Sequence, residues 1–179
     1  MTTLLQQHGI VQNAWYVPDL DAAIQRWHRL LGIGPFFVRR HLVIPQVTYR
    51  GQRSSLDISA AYVQAGAIQL ELVTQHDDAP SAFRDMYARG EGGPHHVAVM
   101  PDDYAGSLAE LAAQGFPVAT ELVTAAGRGA AFVDTRALLG HMLEVYRMSD
   151  GLRALYREVA AAAAAWDGRQ LLIEMGPAS

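Results

Sequence analysis

The chain has 179 residues, half of them hydrophobic and 18% charged, with a formal net charge of −4 and no cysteine. That length lies within the range of one compact domain and the composition is that of a soluble globular protein, not a disordered one. The weak acidity, with Lys and Arg scattered, excludes nucleic acid and anionic membrane surfaces as natural partners; without cysteine, any metal must be held by oxygen and imidazole nitrogen.

The first seven residues and those that follow lack a basic start leading into an apolar run, and no uninterrupted apolar stretch reaches about 18 residues, so a cytoplasmic location is expected. Residues 10 to 17 alternate like a strand. Asp19 then caps a helix whose Leu20, Ala23, Ile24, Trp27, Leu30 and Leu31 follow the three-four spacing of one buried face, and Gly32 and Gly34-Pro35 stop it. Residues 36 to 44, 47 to 49, 56 to 64 and 67 to 73 have the β-branched and aromatic content of strands, broken at Pro45, Gly51 and Gly66. Residues 76 to 93 read as a connector, with Asp78 and Pro80 as a helix start and Gly90-Glu91-Gly92-Gly93 as a mobile flap.

A second strand is expected from His95 to Met100, then a helix from Asp103 to Gln114, then strands near 118 to 123, 130 to 134 and 142 to 148. The tail has Leu152, Leu155, Tyr156 and Val159 ahead of six consecutive alanines, Ala160 to Ala165, which predicts a helix. Its apolar stripe suits either the sheet of its own chain or a second subunit. From Gly168 onward the chain reads as irregular.

The two halves are copies. Gln12 and His96 each stand seven positions before an acidic helix-capping residue, Asp19 or Asp103, and each copy closes on a strand carrying a glutamate, Glu71 in Leu70-Glu71-Leu72-Val73 and Glu144 in Leu143-Glu144-Val145-Tyr146. The fold class is therefore α+β: duplicated βαβββ modules, residues 8–75 and 94–148, joined by the 76–93 connector, form a cup-shaped mixed sheet within one domain, and residues 149–179 add a helix and tail. Strand alternation places side chains on the concave face in sets. Gln12 brings Tyr16 with it, His96 brings Met100, Glu71 brings Gln69, and Glu144 brings Met142 and Tyr146. Tyr16, Gln69, Met100, Met142 and Tyr146 are thus the expected pocket lining around a polar centre, the usual makeup of a small-molecule site.

On the same alternation His95 faces away and is structural, and His141 lies outside. His8, His28, His41 and His76 read as surface or loop residues. Arg39, Arg40, Arg50 and Arg53 read as solvated strand arginines, with an anionic substrate as their alternative partner. Unpaired glutamates are costly in an apolar cup, so Glu71 and Glu144 need a reason to be there; the alternative is a register shifted by one residue, with both facing solvent.

The order of these segments resembles the vicinal oxygen chelate superfamily, which includes glyoxalase I, methylmalonyl-CoA epimerase, extradiol dioxygenases and bleomycin-resistance proteins. The resemblance covers residues 8 to 148. It rests on Val17-Pro18-Asp19-Leu20 leading into Trp27 and Leu31-Gly32-Ile33-Gly34-Pro35-Phe36, on Leu70-Glu71-Leu72-Val73, on Gly93-Pro94-His95-His96-Val97-Ala98, and on Leu139-Gly140-His141-Met142-Leu143-Glu144-Val145-Tyr146. It implies that Gln12, Glu71, His96 and Glu144 hold one divalent metal on the cup floor, a set similar to that of some glyoxalase I enzymes. The epimerase set usually begins with histidine, where this chain has Gln12. Three oxygen donors and one imidazole suit zinc, cobalt, nickel, manganese or iron(II) without selecting one, and zinc is the first expectation.

The activity so implied is that of a lyase or isomerase that removes a proton α to a metal-bound carbonyl of a small substrate, with Glu144 as base and Glu71 as second choice. A homodimer is implied by the same resemblance. Two rival readings follow from it: a non-catalytic sequestering protein of the bleomycin-resistance type, and an iron(II) extradiol dioxygenase, which would need a second histidine where Gln12 stands.

Overall fold

The computed structural model describes residues 8–176. Strand β1 (Gln12–Tyr16) leads into helix α1 (Leu20–Leu31), where Asp19 accepts the Ala22 N–H at 2.9 Å and Gly32, in the left-handed region, closes the last turn onto the His28 carbonyl. Leu20, Ala23 and Ile24 of α1 pack on Phe36, Val38, Ala61, Val63, Leu70 and Leu72, the convex face of the first half-sheet. The second half repeats this plan. Strand β7 (Gly93–Val99) leads into α2 (Tyr104–Ala113), capped by Asp103, and Leu108 and Leu111 cover Val99, Val133, Leu143 and Val145.

The other strands are β2 (Phe36–Arg39), β3 (Gln46–Tyr49), β4 (Gln52–Arg53), β5 (Ile58–Ala65), β6 (Ile68–Gln75), β8 (Val118–Val123), β9 (Gly129–Val133), β10 (Met142–Tyr146) and β11 (Leu172–Glu174). They form one sheet in the order β11-β2-β5-β6-β1-β7-β10-β9-β8-β3-β4. The duplication shows in the register. In each module the first strand lies parallel to the last, β1 to β6 and β7 to β10, and the two first strands meet antiparallel at the centre. Four strands on either side of that seam curl into the expected cup. Its concave face carries Phe37, Ile58, Ala60, Tyr62, Val73, Ala130 and Phe132.

Several expectations need correction. The strand content expected at residues 47 to 49 belongs to an inserted hairpin, β3 and β4, which leaves the first module's edge and pairs with β8 at the edge of the second. The chain between β2 and β3 therefore straps the cup: the Leu42 N–H reaches the Ile58 carbonyl, and the Ala125 N–H reaches the Val43 carbonyl.

The connector does not start a helix at Asp78 and Pro80; residues 82–86 form turns only. Side chains there compete with a helical ladder. Ser81 Oγ accepts the N–H groups of Phe83 and Arg84 while donating to Gln75 Oε1, and Gln75 Nε2 donates to Asp77 and to the Ala79 carbonyl. The result drives Ala82 and Phe83 into the core as a plug.

Gly90-Glu91-Gly92-Gly93 is not a free flap. Gly93 opens β7 opposite Tyr16, and a Cβ on Gly92 would stand 2.6 Å from the Tyr16 carbonyl oxygen. Glycine is there for close backbone approach.

The tail is ordered past Gly168, where irregular chain was expected. Helix α4 (Asp150–Ala165) lays Leu152, Leu155 and Val159 toward the cup of its own chain, settling which surface its stripe covers. Trp166 then packs on Gly34, and Leu172–Glu174 returns as β11, parallel to β2. The apolar run Leu171-Leu172-Ile173 was the available signal for this strand. A small helix, α3 (Arg136–Leu139), precedes β10.

Substituting Gly92→Ala tests the seam. The carbonyl it would strike is held in the ladder, so the variant is expected to lose about 1–3 kcal/mol, read as a lowered urea midpoint; an unchanged midpoint would show that the seam can open to admit a methyl group.

Candidate functional site

The four strand positions converge. Gln12 and His96 come from the central pair β1 and β7, Glu71 and Glu144 from the flanking β6 and β10, and all four are buried. His96 Nε2 stands 3.1 Å from Glu144 Oε2, 3.3 Å from Glu71 Oε2 and 3.4 Å from Gln12 Oε1. One ligand atom from each of Glu71, His96 and Glu144 fits within a 4.8 Å cluster.

The orientation of each polar head has a local cause. Gln12 Nε2 donates to Gln69 Oε1 at 2.7 Å, which turns Gln12 Oε1 toward the centre, where it also accepts from the Tyr146 hydroxyl at 3.1 Å. His95, expected on the opposite face, is fully buried beside His96. The pairing passes from Ala14↔His96 to Trp15↔Pro94, so His95 is the extra residue of a β-bulge, and alternation fails there.

That misplacement matters for the tautomers. His95 Nε2 lies 3.1 Å from the Ala82 carbonyl, which can only accept, so Nε2 carries a proton. Burial, reinforced by His96, lowers the His95 pKa well below the ordinary histidine value and keeps the ring neutral. His95 Nδ1 is then an acceptor, and the 2.9 Å contact to His96 Nδ1 requires a proton on His96 Nδ1. A neutral His96 therefore aims its Nε2 lone pair at the two carboxylates and Gln12 Oε1. Four electron-rich atoms then face one point.

Without a cation the cluster is held by a proton. Burial alone would push the His96 pKa down, but Glu144 and then Glu71 outweigh it and raise it to about 9. Burial is also the largest influence on Glu71, whose pKa is raised despite its contact with His96. One N–H cannot satisfy three acceptors, and Glu144 Oε2, although within ion-pair distance, makes no directional hydrogen bond. A divalent cation fits this donor set. It would neutralise two carboxylates and give the orphaned oxygen a partner, and the mix of oxygen and imidazole suits borderline or hard ions.

Above the four heads lies a cavity of ≈ 330 Å³, near the lower end of small-molecule pockets. Gln69, Glu71, Glu144 and Tyr146 line it. Tyr16, Met100 and Met142 do not, contrary to the alternation argument. Tyr16 is stacked on Tyr87 and packed against the tilted ring of Phe83, with its hydroxyl accepting from Arg84. Met142 is fully buried in the concave-side core, packed away from the cavity, and Met100 lies beyond the end of β7.

The walls instead include three contributors missed in the sequence: Tyr62, Tyr156 and Arg128. Tyr62 had a usable signal, being the cross-strand partner of Glu71. Tyr156 depends on how α4 docks, and Arg128 on a hairpin turn, neither of which periodicity specifies. Burial pushes the pKa of all three phenols, Tyr62, Tyr146 and Tyr156, upward, so they stay protonated donors.

Among the other arginines, Arg40 pairs with Asp21 and Glu174, and Arg50 with Asp85 and Asp134, while Arg53 is exposed. Arg39 and Arg40 both line the cavity, but among the described residues only Arg40 has a carboxylate partner there. His41 lies 2.8 Å from Asp57 and is stacked on His76 at the rim, a cluster whose members already satisfy one another. Among the described residues, no helix is long and apolar enough to cross a membrane.

Comparison with solved structures returns the same architecture. The methylmalonyl-CoA epimerase of Mycobacterium tuberculosis superposes with a TM-score of 0.54 at 21% identity, over 86% of this chain and 95% of the epimerase. A methylmalonyl-CoA epimerase in complex with methylmalonyl-CoA and ammonium gives 0.55 at 19% identity, over 79% and 94% of the two chains. A hypothetical protein from Bacillus halodurans gives 0.55 at 16% identity, over 80% and 96%. These identities speak for the fold alone. No curated protein sequence matches the chain. Residues 11–132, well over half of the sequence and reaching from the first module into the second, match the profile of the Glyoxalase/Bleomycin resistance protein/Dioxygenase superfamily, and the chain belongs to that family.

Proposed function

We propose that this protein is a divalent-metal-dependent isomerase or lyase that removes a proton from the carbon beside a carbonyl group of a small organic substrate. The observation that carries the reading is the buried meeting of Glu71, His96 and Glu144 around one point, with Gln12 oxygen turned toward it, at the floor of a ligand-sized cavity. A binding protein that used the cup only for sequestration would have no need to bury two carboxylates there. An extradiol dioxygenase needs a second imidazole, and His95 directs its nitrogens to Ala82 and His96 instead.

Gln12, Glu71, His96 and Glu144 would hold the ion. Bound there, a divalent ion such as zinc supplies Lewis-acid polarisation of a substrate carbonyl, worth several kcal/mol as charge develops. The chain's own groups do the remainder. Glu144 takes the proton through its carboxylate, which lines the cavity beside the ion's position. Glu71 is the second candidate, because burial strengthens it as a base. Tyr156, whose hydroxyl is buried and unpartnered at the cavity wall, donates to a substrate oxygen. Leu42 and Ile44 of the strap and Leu152 and Leu155 of α4 exclude water and so sharpen each of these contacts.

In Glu144→Gln the shape of the site is kept and the base is lost. Deuterium wash-in beside the carbonyl of trial substrates is expected to slow by about 10²–10⁴-fold, with the circular dichroism spectrum unchanged. Exchange at the wild-type rate would move the base to Glu71. Calorimetric titration of chelator-treated protein with zinc should show one site; no binding at all would leave only the sequestering reading.

The pH dependence of that titration has a definite sign. His96 is protonated at Nε2 below pH about 9 in the metal-free protein, and the ion needs that lone pair. Binding between pH 6 and 9 should therefore release about one proton, more where Glu71 is also protonated, and affinity should climb with pH and level off above about 9. Calorimetry in two buffers of different ionisation enthalpy reads the proton count, and a count of zero at pH 7 would contradict the arrangement.

A further inference from the structure

The two modules contribute equivalent strands to the floor, and three arginines line the cavity above it, Arg39 and Arg40 from the first module and Arg128 from the second. Arg39 ends β2, where Phe37 and Arg39 face the concave side and Phe36 and Val38 the convex one. Arg128 stands in the turn between β8 and β9, where the Thr124 N–H donates to its carbonyl and its own N–H donates to Thr124 Oγ1. Both line the same cavity as Glu71 and Glu144.

Their surroundings set them apart from the protein's other inward arginines. Arg40, Arg50, Arg84 and Arg136 each have a carboxylate within ion-pair distance. Among the described residues, neither Arg39 nor Arg128 has one, and no side-chain hydrogen bond is made by either guanidinium. Arg39 Nε is buried without any partner. Burial lowers the Arg39 pKa, and the next cause is the like charge of Arg128, while Glu158 on α4 attracts it only weakly. A half-buried guanidinium that shares its cavity with a second one, with its Nε unmet, is a cost that the folded chain does not relieve by itself. Guanidinium forks match the paired oxygens of carboxylates and phosphates.

We propose that Arg39 and Arg128 form an anion-binding subsite at the upper wall of the cup, which takes a carboxylate or phosphate group at the end of the substrate remote from its carbonyl. This deepens the function proposed above and rests on it for the position of the carbonyl. The apolar wall between the two polar ends, with Leu42, Ile44, Ile58 and Leu122, requires a short hydrocarbon spacer. A cavity of ≈ 330 Å³ limits the enclosed part to a small organic acid or the head of a longer anionic ester. The substrate class is thus a carbonyl compound with a second, anionic end.

The test uses chelator-treated full-length protein at low ionic strength, titrated with succinate, with inorganic phosphate and with the neutral diamide succinamide. Succinate or phosphate should bind once per chain, the one bound identifying the anion, and succinamide should not. Arg39→Gln and Arg128→Gln should each weaken that binding about tenfold or more. Wild-type protein that binds neither anion, or variants that bind as well as wild type, would overturn the subsite.

Two controls separate the alternatives. Arg39→Gln removes an unrelieved charge, so its ligand-free melting temperature should equal or exceed that of wild type, and a clear fall would assign Arg39 a structural role and overturn the proposal. Zinc titration of the same variant should match wild type. Wild-type protein that takes an anion but no zinc would keep the subsite and sink the metal reading, whereas zinc without an anion would do the reverse.

Discussion

Two carboxylates and an imidazole buried within a few ångströms of each other are the constraint around which this fold is organised. Glu71 and Glu144 leave water to reach that point, and the proton on His96 offsets their repulsion only in part, since one N–H faces three acceptors. The seam between β1 and β7, the bulge at His95 and the amide pair Gln12–Gln69 all have the same effect. They fix polar atoms in a geometry that none of the strands would adopt for its own stability. The floor is therefore preorganised toward positive charge, and this is the property on which the proposed chemistry draws.

Support for that floor extends outward in a chain of hydrogen bonds. The connector buries Ala82, whose carbonyl sets the tautomer of His95, which in turn sets that of His96. Ser81 and Gln75 hold the connector in place through contacts that displaced the helix expected there. Outer partners of this kind commonly tune a metal-binding imidazole as strongly as the first layer does. Phe83, stacked on His95, adds a wall that fixes the ring plane.

The duplicated modules were legible because the periodicities of strand and helix changed at the same points in both halves. The acid-capped helices after Asp19 and Asp103 anchored the alignment, so Gln12 matched His96 before any contact was known. Alternation then failed at two kinds of place. At His95 a bulge inserted one residue and reversed the facing of its side chain. At Tyr16, Met100 and Met142 the facing assumption was too coarse, because the concave side of a strand is longer than the cavity it borders, and aromatic packing or the strand end takes up the remainder. The placement of β3–β4 beside β8 and the existence of β11 escaped for another reason: each element is short, and its partner strand lies far away in sequence.

Local pattern alone decided the βαβββ order, the helix caps, the terminal helix and the four polar strand positions, since these follow from side-chain period and backbone capping within a dozen residues. Tertiary structure decided which surface α4 covers, how the strap crosses the cup, which tautomer His96 adopts and that Arg39 and Arg128 line one cavity. Those outcomes depend on distances between segments remote in sequence. Period and composition specify which way a side chain points from its own strand, and only the packed sheet specifies what it meets there.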